Sequence, residues 1–116
     1  DFIKLKIRII MYILGDIRNS ETKVFLVNSN YKIVKNKTFN TKNINIKLLN
    51  KNFDNFIKDY TKIKKILFCS VVPKSFSLIK KFLSKKSKIK CHEVKDLKLN
   101  YLSDSNWSEV NFRECL

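Results

Sequence analysis

One stretch constrains this chain more than any other: Leu14 to Val27, LGDIRNSETKVFLV. The apolar run Tyr12-Ile13-Leu14 stops at Gly15-Asp16, a polar turn Arg18-Asn19-Ser20-Glu21 follows, and β-formers resume at Val24-Phe25-Leu26-Val27. Two apolar runs around a short polar turn predict a hairpin that delivers one aspartate to its turn. The turn amides and hydroxyl can face phosphate oxygens, and the aspartate can hold a hydrated Mg²⁺ that bridges them. The bland alternative for Asp16 is a turn aspartate at a strand end.

Around that hairpin the hydrophobic periods predict an alternation of strands and helices. Met11 to Asp16 is nearly continuously apolar, which suits a central strand covered on both faces. Thr22 to Asn28 is the second strand. Ser29-Asn30 signals a turn, and Tyr31 to Phe39 is the third strand of an antiparallel meander. Phe53, Phe56, Ile57 and Tyr60 fall at i, i+3, i+4 and i+7, which predicts a helix over about 50–61 with an apolar stripe for the core. Lys65 to Ser70 is a strand with Ile66-Leu67-Phe68 as its buried run. Pro73 or Ser75 then opens a helix through about Ser84, because proline suits a first helical turn. Phe76, Ile79, Phe82 and Leu83 form its inner stripe. Lys88 to Val94 is a last strand. The order βββαβαβ describes an α/β domain, a mixed sheet with helices packed on it.

Composition narrows the function classes. At 116 residues the chain is one domain at most, and a hydrophobic fraction of 44% is enough for a core. The net charge of +15 raises nucleic acid or an anionic surface as partners. Yet 22 of the 25 basic residues are Lys, and only Arg8, Arg18 and Arg113 are Arg, the residue that specific phosphate and base contacts favour. The Lys/Asn/Ile bias, with one Gly and one Pro, is what an AT-rich coding sequence produces, so most of the charge reads as solvated surface. The three cysteines, Cys69, Cys91 and Cys115, form no CxxC pair, which fits a reducing cytoplasm better than a disulfide framework. No stretch has the uninterrupted apolar length of a membrane-spanning helix. Lys4, Lys6 and Arg8 interrupt the first apolar run, and no small-residue cleavage site follows it, so it does not read as a signal peptide.

Two segments carry a resemblance. Gly15-Asp16-Ile17-Arg18-Asn19-Ser20-Glu21-Thr22-Lys23 resembles the DxGN(T/S)xxK phosphate loop of the type III pantothenate kinases, members of the actin, hexokinase and ribonuclease-H-like ATPase group. Phe68-Cys69-Ser70-Val71-Val72-Pro73 resembles that family's SSVVP segment, which ends a strand and opens a helix. The two lie at about the family's separation, and the resemblance runs from about Met11 to Tyr101. It implies the N-terminal lobe of a ribonuclease-H-like fold, with ATP phosphates held by Asp16, Ile17, Arg18, Asn19, Ser20, Glu21, Thr22 and Lys23, and Mg²⁺ held through Asp16. It also implies pantothenate beside Tyr101, a monovalent cation such as K⁺, a homodimer, and phosphorylation of pantothenate in coenzyme A synthesis.

The chain departs from the family in three places. Asp1 to Ile10 alternates like a strand, but the family begins about where Met11 stands, so residues 1–10 read as an upstream extension. Arg18 replaces a Gly, whose absent Cβ permits φ > 0 and close approach to a ligand. An Arg there is expected to be strained by about 1 kcal/mol and to weaken ATP binding, or else to swing outward and add a cation near the phosphates. The family's GADR, with its catalytic Asp, is replaced after Glu109-Val110 by Asn111-Phe112-Arg113-Glu114, so no catalytic residue is assigned, and nothing supports Glu114 as a substitute. Residues 11–100 then form the lobe and 101–116 a divergent or truncated tail around a lone Trp107. On this account the chain supplies only the first of two lobes and is inactive by itself. The alternatives are a small basic nucleic-acid-binding module, with lysines clustered on one face beside aromatics, and a fragment with no selected function. Cys91-His92-Glu93 does not suggest a metal site, because a strand turns His92 away from its neighbours.

Overall fold

The computed structural model describes residues 9–94. The expectations for residues 1–8 and 95–116, Tyr101 and the Glu109 to Glu114 segment among them, lie outside the described residues. Five strands, β1 (Met11–Ile17), β2 (Glu21–Asn28), β3 (Ile33–Asn40), β4 (Ile63–Ser70) and β5 (Cys91–Glu93), form one sheet in the order β3-β2-β1-β4-β5. Helix α1 (Ile46–Phe53) lies between β3 and β4, and helix α2 (Pro73–Ser87) between β4 and β5. The order is therefore βββαβαβ, as expected. The β1/β2 and β2/β3 pairs are antiparallel, whereas β1/β4 and β4/β5 are parallel, so the sheet is mixed.

β1 takes the central position its apolar run implies, and its two sides enter different cores. Ile13 and Ile17 join Val24, Leu26, Ile66 and Phe68 beneath Leu49, Phe53, Ile79, Phe82 and Leu83 of the helices. Leu14 faces the other way, with Phe25, Val27, Leu67 and Cys69. Gly15 sits on the helix side, opposite Phe68 in the β1/β4 register. The Phe68 ring lies across it, and a Cβ built on Gly15 would come within 1.9 Å of ring carbon Cε2. The chain's one glycine thus makes room for a phenylalanine that is itself fully buried.

The first helix differs from its expected span. It begins earlier, where the Asn45 side chain accepts a hydrogen bond from Leu48 N at 2.8 Å as N-cap. It ends at Phe53. Phe56 and Ile57 remain buried, but in the turn that follows, and Tyr60 opens a short 3₁₀ turn, Tyr60–Lys62. The stripe is core, as its apolar character implies; burial does not require that one helix carry all of it. Phe53 anchors an aromatic cluster, with ring centroids 6.4 Å from Phe39, 5.8 Å from Phe56 and 5.6 Å from Phe82.

Glycine scarcity shapes two other junctions. Tyr31 was expected in the third strand, but it has φ 63° and sits in the turn before β3, its ring stacked on Tyr12 at 6.1 Å. Helix α2 runs one turn past Ser84 and ends on Lys88, at φ 64°. A Cβ disfavours that left-handed conformation, which glycine adopts freely. Lys88→Gly is expected to stabilise the fold by about 1 kcal/mol, read as a higher urea midpoint at unchanged slope.

Candidate functional site

The C-terminal ends of β1 and β4 and the start of α2 share one end of the sheet. Arg18, Asn19 and Ser20 connect β1 to β2, closed by Arg18 N donating to Glu21 O at 2.9 Å. Two further bonds fix the turn from either side. Thr41 N donates to Ser20 O at 3.0 Å, and Val71 N donates to Ile17 O at 3.0 Å. The Thr22 and Thr41 hydroxyls, both buried, share a 2.8 Å hydrogen bond beneath it. Ser70 Oγ accepts from Val72 N at 3.0 Å, turning the chain from β4 into α2. Pro73 occupies the first turn of α2, as expected, and Val72 makes no side-chain cap.

Asp16 sits one residue inside the end of β1, on the sheet face opposite the helices. Its register neighbours are Lys23 of β2 and Cys69 of β4. The side chain is only 12% exposed, more enclosed than a turn tip implies. Its Oδ1 accepts a hydrogen bond from Arg18 Nε at 3.0 Å, and the Arg18 side chain is 59% exposed. The backbone strain expected at Arg18 needs correction here. Its φ is not positive, so the strain argued from the missing glycine is absent. Its side chain folds back on Asp16. Asn19, Ser20 and Glu21 are exposed at the turn, Lys23 is half-buried beside Asp16, and Ile17 and Thr22 are buried. Ile17 and Thr22 therefore shape the loop from beneath, and only their backbone remains to meet a ligand.

The sequence marks Ser70 only as the end of a strand. The structure pairs it with Ile17. The signal for this was the parallel pairing of the two motif-bearing strands, which neither motif reveals alone.

Away from this end, β5 buries Cys91 in the helix-side core and exposes His92 and Glu93. Burial pushes the Cys91 thiol up to about 12, so it stays protonated at neutral pH. Among the described residues, no three His, Cys, Asp or Glu side chains gather in a way that could hold a metal ion. Lysines cluster at one groove between the helices, lined by Ile46, Asn50, Lys81, Phe82, Lys85 and Lys86. Phe82 is 6% exposed with the Lys86 ammonium 5.7 Å from its ring centre, so it offers no open face for a base to stack on. No helix among the described residues is long and apolar enough to cross a membrane.

Comparison with known proteins covers nearly all of the described fold. The family model for type III pantothenate kinase matches residues 12–106. A type III pantothenate kinase of Pelagibacter ubique (strain HTCC1062) is 51% identical over 92 residues, which are 79% of this chain and 37% of that protein. The chain thus spans little more than a third of the relative's length. Both the aspartate-bearing hairpin and the strand-to-helix turn beside it fall inside the matched residues, and the chain belongs to the type III pantothenate kinase family.

Proposed function

We propose that this chain provides the first lobe of an enzyme that transfers the γ-phosphoryl group of ATP to pantothenate, a step of coenzyme A synthesis, and that it needs the remainder of such a protein to turn over. The observation that carries the reading is Asp16, a carboxylate held at the end of a central strand beside a turn braced by Thr41 and Val71. Phosphoryl transfer depends on positioning and charge neutralisation more than on covalent chemistry. A turn whose backbone is fixed before a ligand arrives meets that demand.

In this reading Asn19 and Ser20 offer side-chain hydrogen bonds to phosphate oxygens, Lys23 supplies a point charge, and Asp16 orients the metal. One carboxylate suits Mg²⁺, which takes its other ligands from water and phosphate. Bound there, Mg²⁺ neutralises charge on the phosphates. The monovalent cation, the homodimer and the contact of Tyr101 with pantothenate come from the family resemblance, and the described residues single out no place for that cation. A cytoplasmic location belongs to the same proposal, supported by Cys91, a buried thiol outside any disulfide.

The test is a chimaera. Residues 12–106 replace the matching segment of the Pelagibacter relative, and ATP- and pantothenate-dependent product formation is measured beside the 116-residue chain alone. The chimaera is expected to phosphorylate pantothenate, and the chain alone to match a no-protein control. A folded chimaera without turnover overturns the reading; turnover by the chain alone overturns the need for a second lobe.

A further inference from the structure

A sheet face whose large apolar side chains are closed to water needs a layer over it. Side chains stand upright from a sheet, and neighbours on either side leave their tips wet. Leu14, Phe25, Val27, Leu67 and Cys69 make up such a face, on the side away from the helices. Phe25 and Val27 are 1% exposed and Leu14 is 2% exposed. Among the described residues, the apolar side chains packed against them are Tyr12, Tyr31, Ile33 and Val94, all from the strands or the ends of strands. Both helices bury their apolar stripes on the opposite side. The layer that closes this face therefore comes from elsewhere.

We propose that residues 95–116 are that layer, folded back across β4, β1 and β2. Val94 already packs against the cluster, with its N–H bonded to Phe68 O at 2.8 Å, so the chain leaves β5 on this face. At the other terminus Ile9 is 51% exposed, so residues 1–8 start away from it. Reach is sufficient. Three strand spacings of about 4.8 Å separate β5 from β2, roughly 14 Å. Even at the short rise of a helix, about 1.5 Å per residue, the 22 residues 95–116 span roughly 33 Å. Their chemistry fits too. Leu97, Leu99, Leu102, Trp107, Val110 and Phe112 supply apolar area, and Asp96, Asp104, Glu109 and Glu114 are four of the chain's ten acidic residues. The face itself carries half-buried Lys23 and Lys65, which attract acidic cover. Residues 1–8, with Lys4, Lys6 and Arg8 against Asp1, have the wrong sign. A second copy of a chain with net charge +15 is repelled as a whole.

The experiment is NMR of the 116-residue chain with labelled Leu and Val methyl groups. Nuclear Overhauser contacts are expected from the methyls of Leu14, Val27 and Leu67 to side chains of residues 95–116, within one molecule. Contacts to residues 1–8 in their place, contacts only between copies in a mixed-label sample, or none to residues 95–116 would each overturn the fold-back. Trp107 is the chain's one tryptophan, so its fluorescence reports on the segment directly. Its emission is expected to be blue-shifted in the folded protein and to move red in the same urea transition that melts the sheet by circular dichroism. Emission at the position of solvated indole before urea is added would overturn burial of the segment. Trp107→Ala in the full chain is expected to lower the folding equilibrium constant about 100-fold, and an unchanged urea midpoint counts against the layer. Should that variant fail to fold, the contacts in the wild-type chain still decide. None of these readouts involves ATP, so they test the fold-back independently of the kinase reading.

Discussion

Gly15→Ala is expected to cost the fold about 3 kcal/mol or more, the upper range for forcing a methyl group into a filled core. The added carbon would lie 1.9 Å from Cε2 and 2.3 Å from Cδ2 of Phe68, far inside contact distance. The ring cannot easily retreat. Phe68 is fully buried, and its centroid lies 6.4 Å from that of Phe76 in the first turns of α2. A chain of 116 residues has a total stability of roughly 6–17 kcal/mol, so this one methyl group removes a large share. Phe68→Ala alone should cost about 3–5 kcal/mol through the cavity it leaves. In the double variant the methyl enters that cavity, and the combined loss should fall short of the sum by more than about 1 kcal/mol. Urea unfolding of the four proteins in the cycle measures this. Strict additivity would mean that the ring over Gly15 is not what excludes a side chain there.

Asp16→Asn is expected to lower kcat of the active chimaera by roughly 100-fold or more at saturating ATP, the scale of removing a preorganised electrostatic group from a phosphoryl-transfer site. Asn keeps the shape and can still accept from Arg18, but it loses the charge that attracts a metal. Stability should barely change. The pair it weakens has a partner that is 59% exposed, and solvent screening limits such pairs to about 0–1 kcal/mol. The two readouts thus separate a positioning role from a structural one. A chimaera variant with unchanged kcat, or one that loses activity only by unfolding, would remove Asp16 from the centre of the mechanism.

The features legible in the sequence were those set by a local period. The apolar run of β1 announced a central strand, and the spacing of Phe76, Ile79, Phe82 and Leu83 announced the buried face of α2. Where the same kind of spacing continued across a helix end, it misled. Phe53 to Tyr60 share the core, but Asn45 nucleates α1 early and the chain leaves it at Phe53, so the later aromatics reach the core from a turn. Tyr31 and Lys88 were hard to read for a compositional reason. With one glycine in the chain, left-handed positions carry no glycine to mark them. At the site, the motif gave Asp16 and its turn. What it withheld was pairwise: that Arg18 closes on Asp16 without backbone strain, and that Ser70 lies alongside Ile17. Both are contacts between residues whose types permit many other partners.

The parallel pairing of β1 with β4 also dictates the order in which this domain can be made. During synthesis β2 and β3 follow β1 within a few residues of turn, so the antiparallel meander can assemble as soon as it leaves the ribosome. The other flank of β1 must wait until Ile63–Ser70 has emerged, and until then Ile13 and Ile17 lack the strand and helices that bury them. The nascent hairpin therefore passes through a sticky half-sheet stage, and the last strands and α2 act as the latecomers that complete it.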